Sequence, residues 1–255
     1  MQIRVLGCSG GIGGATRTSA MLIDDDVLID AGTGIGDLAL VDLKKIRHVF
    51  LTHAHLDHIA GLPLLIDAIY EDDLAEPLVV YARPETIQAL RDHIFNNVIW
   101  PDFGELPNAA RPVLQYRVCS PGDSVQVTSR KFKAVDVSHT VPSQGYTVQN
   151  GGGTFAVSGD TRTNQTLWPV LNASDDLRAL VIEVSFPDEL RELADVSGHY
   201  CPATLVSDLA KLAHEPDIWL TGMKPGEEDT IFRQVRECLP DRRINMLSRG
   251  VTISV

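Results

Sequence analysis

Three histidines and an aspartate follow a short apolar run, an order that requires a strand, an exit loop and a helix start in succession. The run, residues 48–51, indicates a buried strand, and His53, His55, Asp57 and His58 come directly after it. Alternate residues of an extended loop point the same way, so His53 and His55 can bind one ion. Asp57 and His58 lie where the pattern of residues 59–69 predicts a helix, and they can face a second ion. Imidazole and carboxylate ligands suit a divalent metal such as zinc, iron or manganese, and the sequence does not choose among them.

The composition favours one globular domain that acts on a small substrate. A chain of 255 residues with 44% hydrophobic content can bury one substantial core, so we expect a single domain over residues 1–255. The net charge of -12 disfavours nucleic-acid binding, which requires many Lys and Arg residues. The four cysteines are widely spaced, and no stretch is apolar enough to cross a membrane, which predicts a cytoplasmic protein. The oligomeric state is left open, a homodimer included.

Short apolar runs and helical patterns alternate along the chain, which predicts sheets covered by helices. We predict strands at residues 3–6, 20–23, 27–29, 78–81, 125–127, 132–137, 145–148 and 155–157, and helices at 59–70, 84–95, 202–213 and 228–238. The second half is expected to resemble the first. The glycines at positions 10, 11, 13 and 14 do not match the spacing of a dinucleotide-binding loop, and a strand follows them.

Further along the chain, other residues of types that can bind metal also follow strand-like runs. His139 and Asp160 are candidate ligands, and Asp160 can bridge two ions through its two oxygens, although a turn aspartate is the simpler interpretation. His199 also follows such a run and is a further candidate ligand. His93 and His214 lie on or at the end of predicted helices and are interpreted as ordinary polar residues.

The order HxHxDH, then a distant histidine, then a distant aspartate resembles the metallo-β-lactamase superfamily. The turn at residues 29–32 matches the DxG turn of that superfamily, which implies that Asp30 orients a ligand histidine. The resemblance implies an α+β fold, a four-layer αββα sandwich with the site at the sheet edges. It implies one ion bound by His53, His55 and His139 and a second bound by Asp57 and His58, with Asp160 between them.

Two segments resemble class II cyclic-nucleotide phosphodiesterases within that superfamily. Residues 53–61 match HxHLDHxxG, and residues 93–103 resemble an FNxxIWP-type segment, whose aromatic residues either stack on a base or pack in the core. The resemblance implies hydrolysis of cyclic AMP or cyclic GMP to the 5'-nucleotide by a metal-bound hydroxide, with Asp57 and His199 as catalytic residues. Arg162 and Lys224 lie beside site motifs and are candidate phosphate contacts.

The chain departs from this pattern at Gly222, where the superfamily has its final ligand histidine. Three interpretations follow: water completes a second site made by Asp57, His58 and Asp160, that site is filled weakly, or His199 or another group substitutes. Alternative functions are hydrolysis of another ester, such as another phosphodiester, a sulfate ester or a lactone, and a non-catalytic binding role with an impaired second site.

Overall fold

Two β-sheets pack face to face at the centre of the molecule, and helices cover their outer faces. The computed structural model describes residues 1–70 and 76–255, and within them each sheet has seven strands. The strands are β1 (Gln2–Gly7), β2 (Ala20–Ile23), β3 (Val27–Ile29), β4 (His48–Phe50), β5 (Leu78–Ala82), β6 (Leu114–Val118), β7 (Ser124–Val127), β8 (Arg130–Asp136), β9 (Gln144–Asn150), β10 (Gly153–Val157), β11 (Leu177–Glu183), β12 (Asp217–Thr221), β13 (Ile244–Met246) and β14 (Thr252–Ser254). The helices are α1 (Leu40–Leu43), α2 (Leu56–Ile59), α3 (Leu62–Ile69), α4 (Pro84–His93), α5 (Leu167–Asn172), α6 (Arg191–Ser197), α7 (Pro202–Leu209) and α8 (Glu228–Cys238), with 3-10 turns at Thr33–Asp37 and Asp188–Leu190.

Each sheet is mixed, and its parallel strands lie towards one side. The first sheet has the order β14-β1-β2-β3-β4-β5-β6, in which the neighbours from β3 to β6 are parallel. The second has the order β13-β12-β11-β10-β9-β8-β7, in which the neighbours from β10 to β13 are parallel. Strands β2, β3, β5 and β10 are buried at every residue, as expected of strands covered on both faces.

Three apolar layers hold the sandwich together. One lies between the sheets, and one lies between each sheet and its helices. In the middle layer the Phe50 ring stacks on Tyr81 of the first sheet at 4.5 Å and on Phe132 of the second sheet at 4.1 Å, measured between centroids. The edge of Tyr146 meets Phe50 from the second sheet at 5.5 Å. The predicted α+β, four-layer αββα architecture is confirmed.

A buried arginine also joins the two sheets. The guanidinium of Arg130, at the start of β8, donates two hydrogen bonds of 2.7 Å to the carboxylate of Asp26 and one of 3.0 Å to Asp24. Both aspartates lie in the turn between β2 and β3, and the Arg130 side chain is 5% exposed. The paired, bidentate geometry compensates for the loss of water around the charge.

The prediction of one continuous helix over residues 59–70 is wrong, because two helices meet there at a corner. Helix α2 begins at Leu56, and α3 begins after Gly61. A Cβ atom at Gly61 would lie 2.6 Å from the carbonyl oxygen of Gly32, so only glycine permits this close approach. The Gly61 amide donates to the Ala31 carbonyl, and the Ala31 amide donates to the His58 carbonyl, which fixes α2 against the turn after β3.

The other predicted strands and helices are present with small shifts of their ends. The helix predicted over 202–213 ends at Leu209. Strands β6, β11, β12, β13 and β14 and helices α1, α5 and α6 were not predicted. Phe95 and Phe103 are buried in the outer layer of the first sheet, and Trp100 packs against it, so this aromatic segment belongs to the core.

Candidate metal and catalytic site

The predicted site residues lie at one edge of the sandwich, where strands of both sheets end. His53 and His55 follow β4, and Asp57 and His58 lie in α2. The second sheet places His139 after β8 and Asp160 after β10. The site is therefore assembled from segments of both sheets that are distant in sequence.

Four side chains point one atom each at a common position. These atoms, from His53, His55, His139 and Asp160, lie within 4.8 Å of one another. His139 Nε2 is 3.1 Å from His55 Nδ1, and Asp160 Oδ2 is 3.8 Å from His53 Nε2 and 4.0 Å from His139 Nε2. We call His53, His55, His139 and Asp160 the first subsite.

Hydrogen bonds behind the rings fix their direction. His139 Nδ1 donates to the Gly198 carbonyl at 2.8 Å, which leaves Nε2 to face the site. Thr52 Oγ1 lies 3.0 Å from His53 Nδ1 and 3.0 Å from each oxygen of Asp30. The rings of His53 and His139 are thus oriented by groups outside the first subsite.

Asp57, His58 and Asp160 form a second group whose ligand atoms also lie within 4.8 Å of one another, which we call the second subsite. His58 Nε2 is 3.4 Å from Asp160 Oδ1 and 3.8 Å from Asp57 Oδ2. His58 Nδ1 is 2.6 Å from Asp30 Oδ2, the contact expected from the DxG turn. Asp160 directs one oxygen to each subsite, as a bridging ligand would.

Burial controls the charge of these groups. Burial lowers the pKa of His53 well below its ordinary value, lowers that of His55, and lowers that of His139 to about 4. Burial also opposes the charged form of His58, but the charges of Asp160 and Asp30 and their hydrogen bonds raise the pKa of His58 well above its ordinary value. Three neutral imidazoles therefore offer lone pairs at the first subsite.

A divalent metal ion fits the first subsite. His53 Nε2 is completely buried and has no hydrogen-bond partner among the residues that the structure describes. Leaving such an atom unpaired costs about 1–3 kcal/mol, and a metal ion would satisfy it. Three imidazoles and one carboxylate are a donor set suited to zinc.

His199 is held by a buried carboxylate that the sequence analysis missed. His199 Nδ1 is 3.0 Å from Glu183 Oε1 and 3.1 Å from Ser185 Oγ, and Glu183 is fully buried at the end of β11. Burial lowers the pKa of His199, but the charge of Glu183 and its hydrogen bond outweigh burial and raise it above the ordinary value. The signal in the sequence is a carboxylate that ends an apolar run, as at Asp160.

Gly222 lies after β12 beside His199. A cavity of about 20 Å³ separates it from the second subsite, and Asp57, His58 and Asp160 line this cavity. Ser185 Oγ donates to the Gly222 carbonyl at 3.0 Å, and the Gly222 amide donates to Cys8 at 2.9 Å. The family pattern has a ligand side chain at this position, whereas Gly222 supplies none to the second subsite.

The two candidate phosphate contacts differ in position. Lys224 lines the same cavity, and its Nζ donates to the Gly10 carbonyl at 2.8 Å. Arg162 is 44% exposed and donates to Ser138 and to the backbone of Asp195 on α6, near the cavity but not lining it. Lys224 is therefore the better placed of the two.

Comparison with known proteins identifies the family of the chain. A model of the β-lactamase superfamily domain matches residues 25–218, most of the chain. The chain belongs to the metallo-β-lactamase superfamily. Within the superfamily it is a metal-dependent hydrolase, as the sequence predicted.

The chain is similar to relatives that are named for two different activities. A probable 3',5'-cyclic-nucleotide phosphodiesterase of Yersinia pestis is 26% identical over 253 residues, which cover 83% of this chain and 72% of the relative. A ribonuclease Z of Methanosarcina acetivorans is 25% identical over 279 residues, covering 86% of this chain and 85% of the relative. The crystal structure of unliganded yeast PDE1 superposes with a TM-score of 0.83 at 20% identity, covering 100% of this chain and 99% of that one, which supports the shared fold.

None of the helices within residues 1–70 and 76–255 has the length and apolar character needed to span a bilayer.

Proposed function

We propose that the protein is a metal-dependent phosphodiesterase that hydrolyses 3',5'-cyclic nucleotides to 5'-nucleotides. The observation that carries the proposal is the position of the Glu183–His199 pair beside two ligand groups that share Asp160. Phosphodiester hydrolysis requires a site for the phosphoryl group and a proton for the departing oxygen, and this arrangement offers both.

The ion, zinc in this proposal, supplies Lewis-acid stabilisation of the phosphoryl charge and a nucleophile at neutral pH. His53, His55 and His139 would hold it at the first subsite, Asp57 and His58 would hold a second ion, and Asp160 would contribute to both subsites. The Asp57 side chain is 35% exposed, and it orients the attacking water by accepting a hydrogen bond.

His199 protonates the ribose oxygen that leaves phosphorus. Its Nδ1 faces Glu183, so Nε2 is the nitrogen that delivers the proton. Glu183 is a positioning residue, because it acts by fixing the ring and favouring its protonated form. Lys224 has two further N–H donors besides the one given to Gly10, and these bind a phosphoryl oxygen. Arg162 pairs with Asp195 and does not line the cavity, so it is the less favoured phosphate contact.

Turnover of cyclic AMP and cyclic GMP tests the proposal, measured after loading with zinc, manganese or iron. We expect 5'-AMP and 5'-GMP as products. His55→Ala should remove turnover without unfolding the protein, whereas His93→Ala, at the exposed end of α4, should retain it. Failure of the loaded protein to cleave either nucleotide would overturn the proposal.

The ribonuclease Z relatives provide the second candidate, cleavage of an RNA phosphodiester. The net charge of -12 disfavours it, since an RNA backbone requires many positive contacts. Precursor tRNA belongs in the same assay, and its cleavage without cyclic-nucleotide turnover would favour that candidate. Metal binding without cleavage of any ester would favour a binding role.

A further inference from the structure

The two subsites are built from different ligands. We infer that the first subsite retains its ion tightly, and that the second binds an exchangeable ion whose ligand set is completed by water instead of a side chain at position 222. This inference rests on the proposed metal-dependent function, and it deepens that function by assigning unequal affinities to the two subsites.

The donor atoms favour the first subsite for zinc. It offers three imidazole nitrogens and one carboxylate oxygen, whereas the second offers one imidazole and two carboxylates. Nitrogen donors suit zinc, and oxygen donors suit harder ions such as manganese and magnesium, which are bound less tightly. The second subsite is thus weaker for zinc and less selective against other divalent ions.

The first subsite is also the better organised of the two. His53 is completely buried, and the Gly198 carbonyl fixes His139 from behind. In the second subsite His58 is held by Asp30, but the Asp57 side chain is 35% exposed. Ordering an exposed side chain around an ion costs conformational entropy, which lowers the affinity of the second subsite.

Gly222 supplies no ligand side chain, and the space beside it can hold a water molecule. The cavity between Gly222 and the second subsite has a volume of about 20 Å³, and about 10–15 Å³ is enough for one water. Asp57, Asp160 and Ser185 provide polar groups around it. Gly222 also has a φ of 76°, a conformation that side-chain-bearing residues rarely adopt.

Charge also contributes to the difference in metal affinity between the two subsites. Two divalent ions would carry four positive charges, while the direct ligands include only the carboxylates of Asp57 and Asp160. Asp160 serves both subsites, so an ion at the first withdraws part of its charge from the second. Repulsion between the two ions therefore lowers the metal affinity of the second subsite more than that of the first.

Metal titration tests the inference without reference to catalysis. Protein stripped by dialysis against a chelator is titrated with Zn²⁺ against a coloured competing chelator, and bound metal per chain is measured by elemental analysis. We expect two binding steps, the second weaker by at least about 100-fold, because even groups behind the ligands change metal affinity by about 10–100-fold. Two steps within about threefold of each other would overturn the inference.

Variants assign the steps to the subsites. Asp57→Asn should remove the weak step and leave the tight one, whereas His55→Ala should weaken the tight step. Gly222→His should strengthen the weak step at least about tenfold relative to Gly222→Ala, which carries the same backbone strain without an imidazole. If neither glycine variant folds, Asp57→Asn decides alone, and equal weakening of both steps by Asp57→Asn would overturn the inference.

The outcomes also separate this inference from the proposed function. Absence of any Zn²⁺ binding would overturn both. Two equal sites in a protein that hydrolyses cyclic AMP would overturn only the unequal affinities. One tight and one weak site without hydrolysis of any ester would keep the inference about affinity and remove the phosphodiesterase proposal.

Discussion

Replacement of Glu183 by glutamine isolates the effect of its charge on His199. Glu183 Oε1 accepts hydrogen bonds from the backbone amides of Thr161 at 3.0 Å and Tyr200 at 3.3 Å, besides facing His199. Glutamine can keep its carbonyl oxygen at that position and turn its NH₂ towards Ser185 Oγ, which accepts it. Glu183→Gln should therefore fold normally and change mainly the charge behind the imidazole.

The expected loss of kcat follows from the hydrogen bond between Glu183 and His199, whose acceptor loses its charge in Glu183→Gln. A hydrogen bond to a charged group contributes about 1.5–3 kcal/mol, which corresponds to about 10–150-fold in rate if it is felt only in the transition state. We expect kcat for cyclic AMP to fall by about that factor with little change in KM, because Glu183 does not touch the substrate. Glu189→Gln, at an exposed turn, is the matched control and should leave kcat unchanged.

A second substrate separates proton donation from a structural effect. An aryl phosphodiester releases a phenolate that needs no proton, so Glu183→Gln and His199→Ala should lose much less activity on it than on cyclic AMP. Steady-state kinetics on both substrates measure this difference. Equal losses on the two substrates, or a Glu183→Gln enzyme within about threefold of the wild type on cyclic AMP, would refute the reasoning.

Three further predictions concern stability, substrate contact and metal. Phe50→Ala should lower the free energy of unfolding by about 3–5 kcal/mol in urea denaturation, because Phe50 stacks between the sheets; a loss below about 1 kcal/mol would contradict this packing role. Lys224→Met should raise KM for cyclic AMP about tenfold or more in steady-state assays, and an unchanged KM would remove Lys224 from the phosphate contacts. Chelation should abolish turnover and lower Tm in thermal denaturation, and restored metal should recover both. The free energy of unfolding should fall by about 2.7 kcal/mol for an ion present at 100 times its Kd. A Tm insensitive to chelator would argue against a bound ion.

The ligand residues could be predicted because they directly follow apolar runs. His53, His139 and Asp160 each come within a few residues of the end of a buried strand, and the ends of such strands meet at a sheet edge. The same reasoning applies to Glu183, but a glutamate that ends a strand is ordinary in sequence. Only the fold shows that His199 lies against it.

The corner at Gly61 and the surroundings of Gly222 could not be predicted for a related reason. Helical periodicity reports which face of a segment is buried, but it does not report how closely another backbone approaches. Gly61 is required by the carbonyl of Gly32, which is 29 residues away in sequence. The missing histidine at position 222 was visible in the sequence, whereas the water-sized cavity beside it depends on side chains from both sheets.

Assembly of the first subsite from both sheets has a consequence for fragments of the chain. A fragment ending near residue 119 would contain His53 and His55, and the remaining fragment would contain His139 and Asp160. Neither fragment has the full donor set, so tight ion binding becomes a signal that the two halves have docked through their shared apolar layer. A bound ion would therefore couple the two halves, and its retention would measure how firmly they are joined.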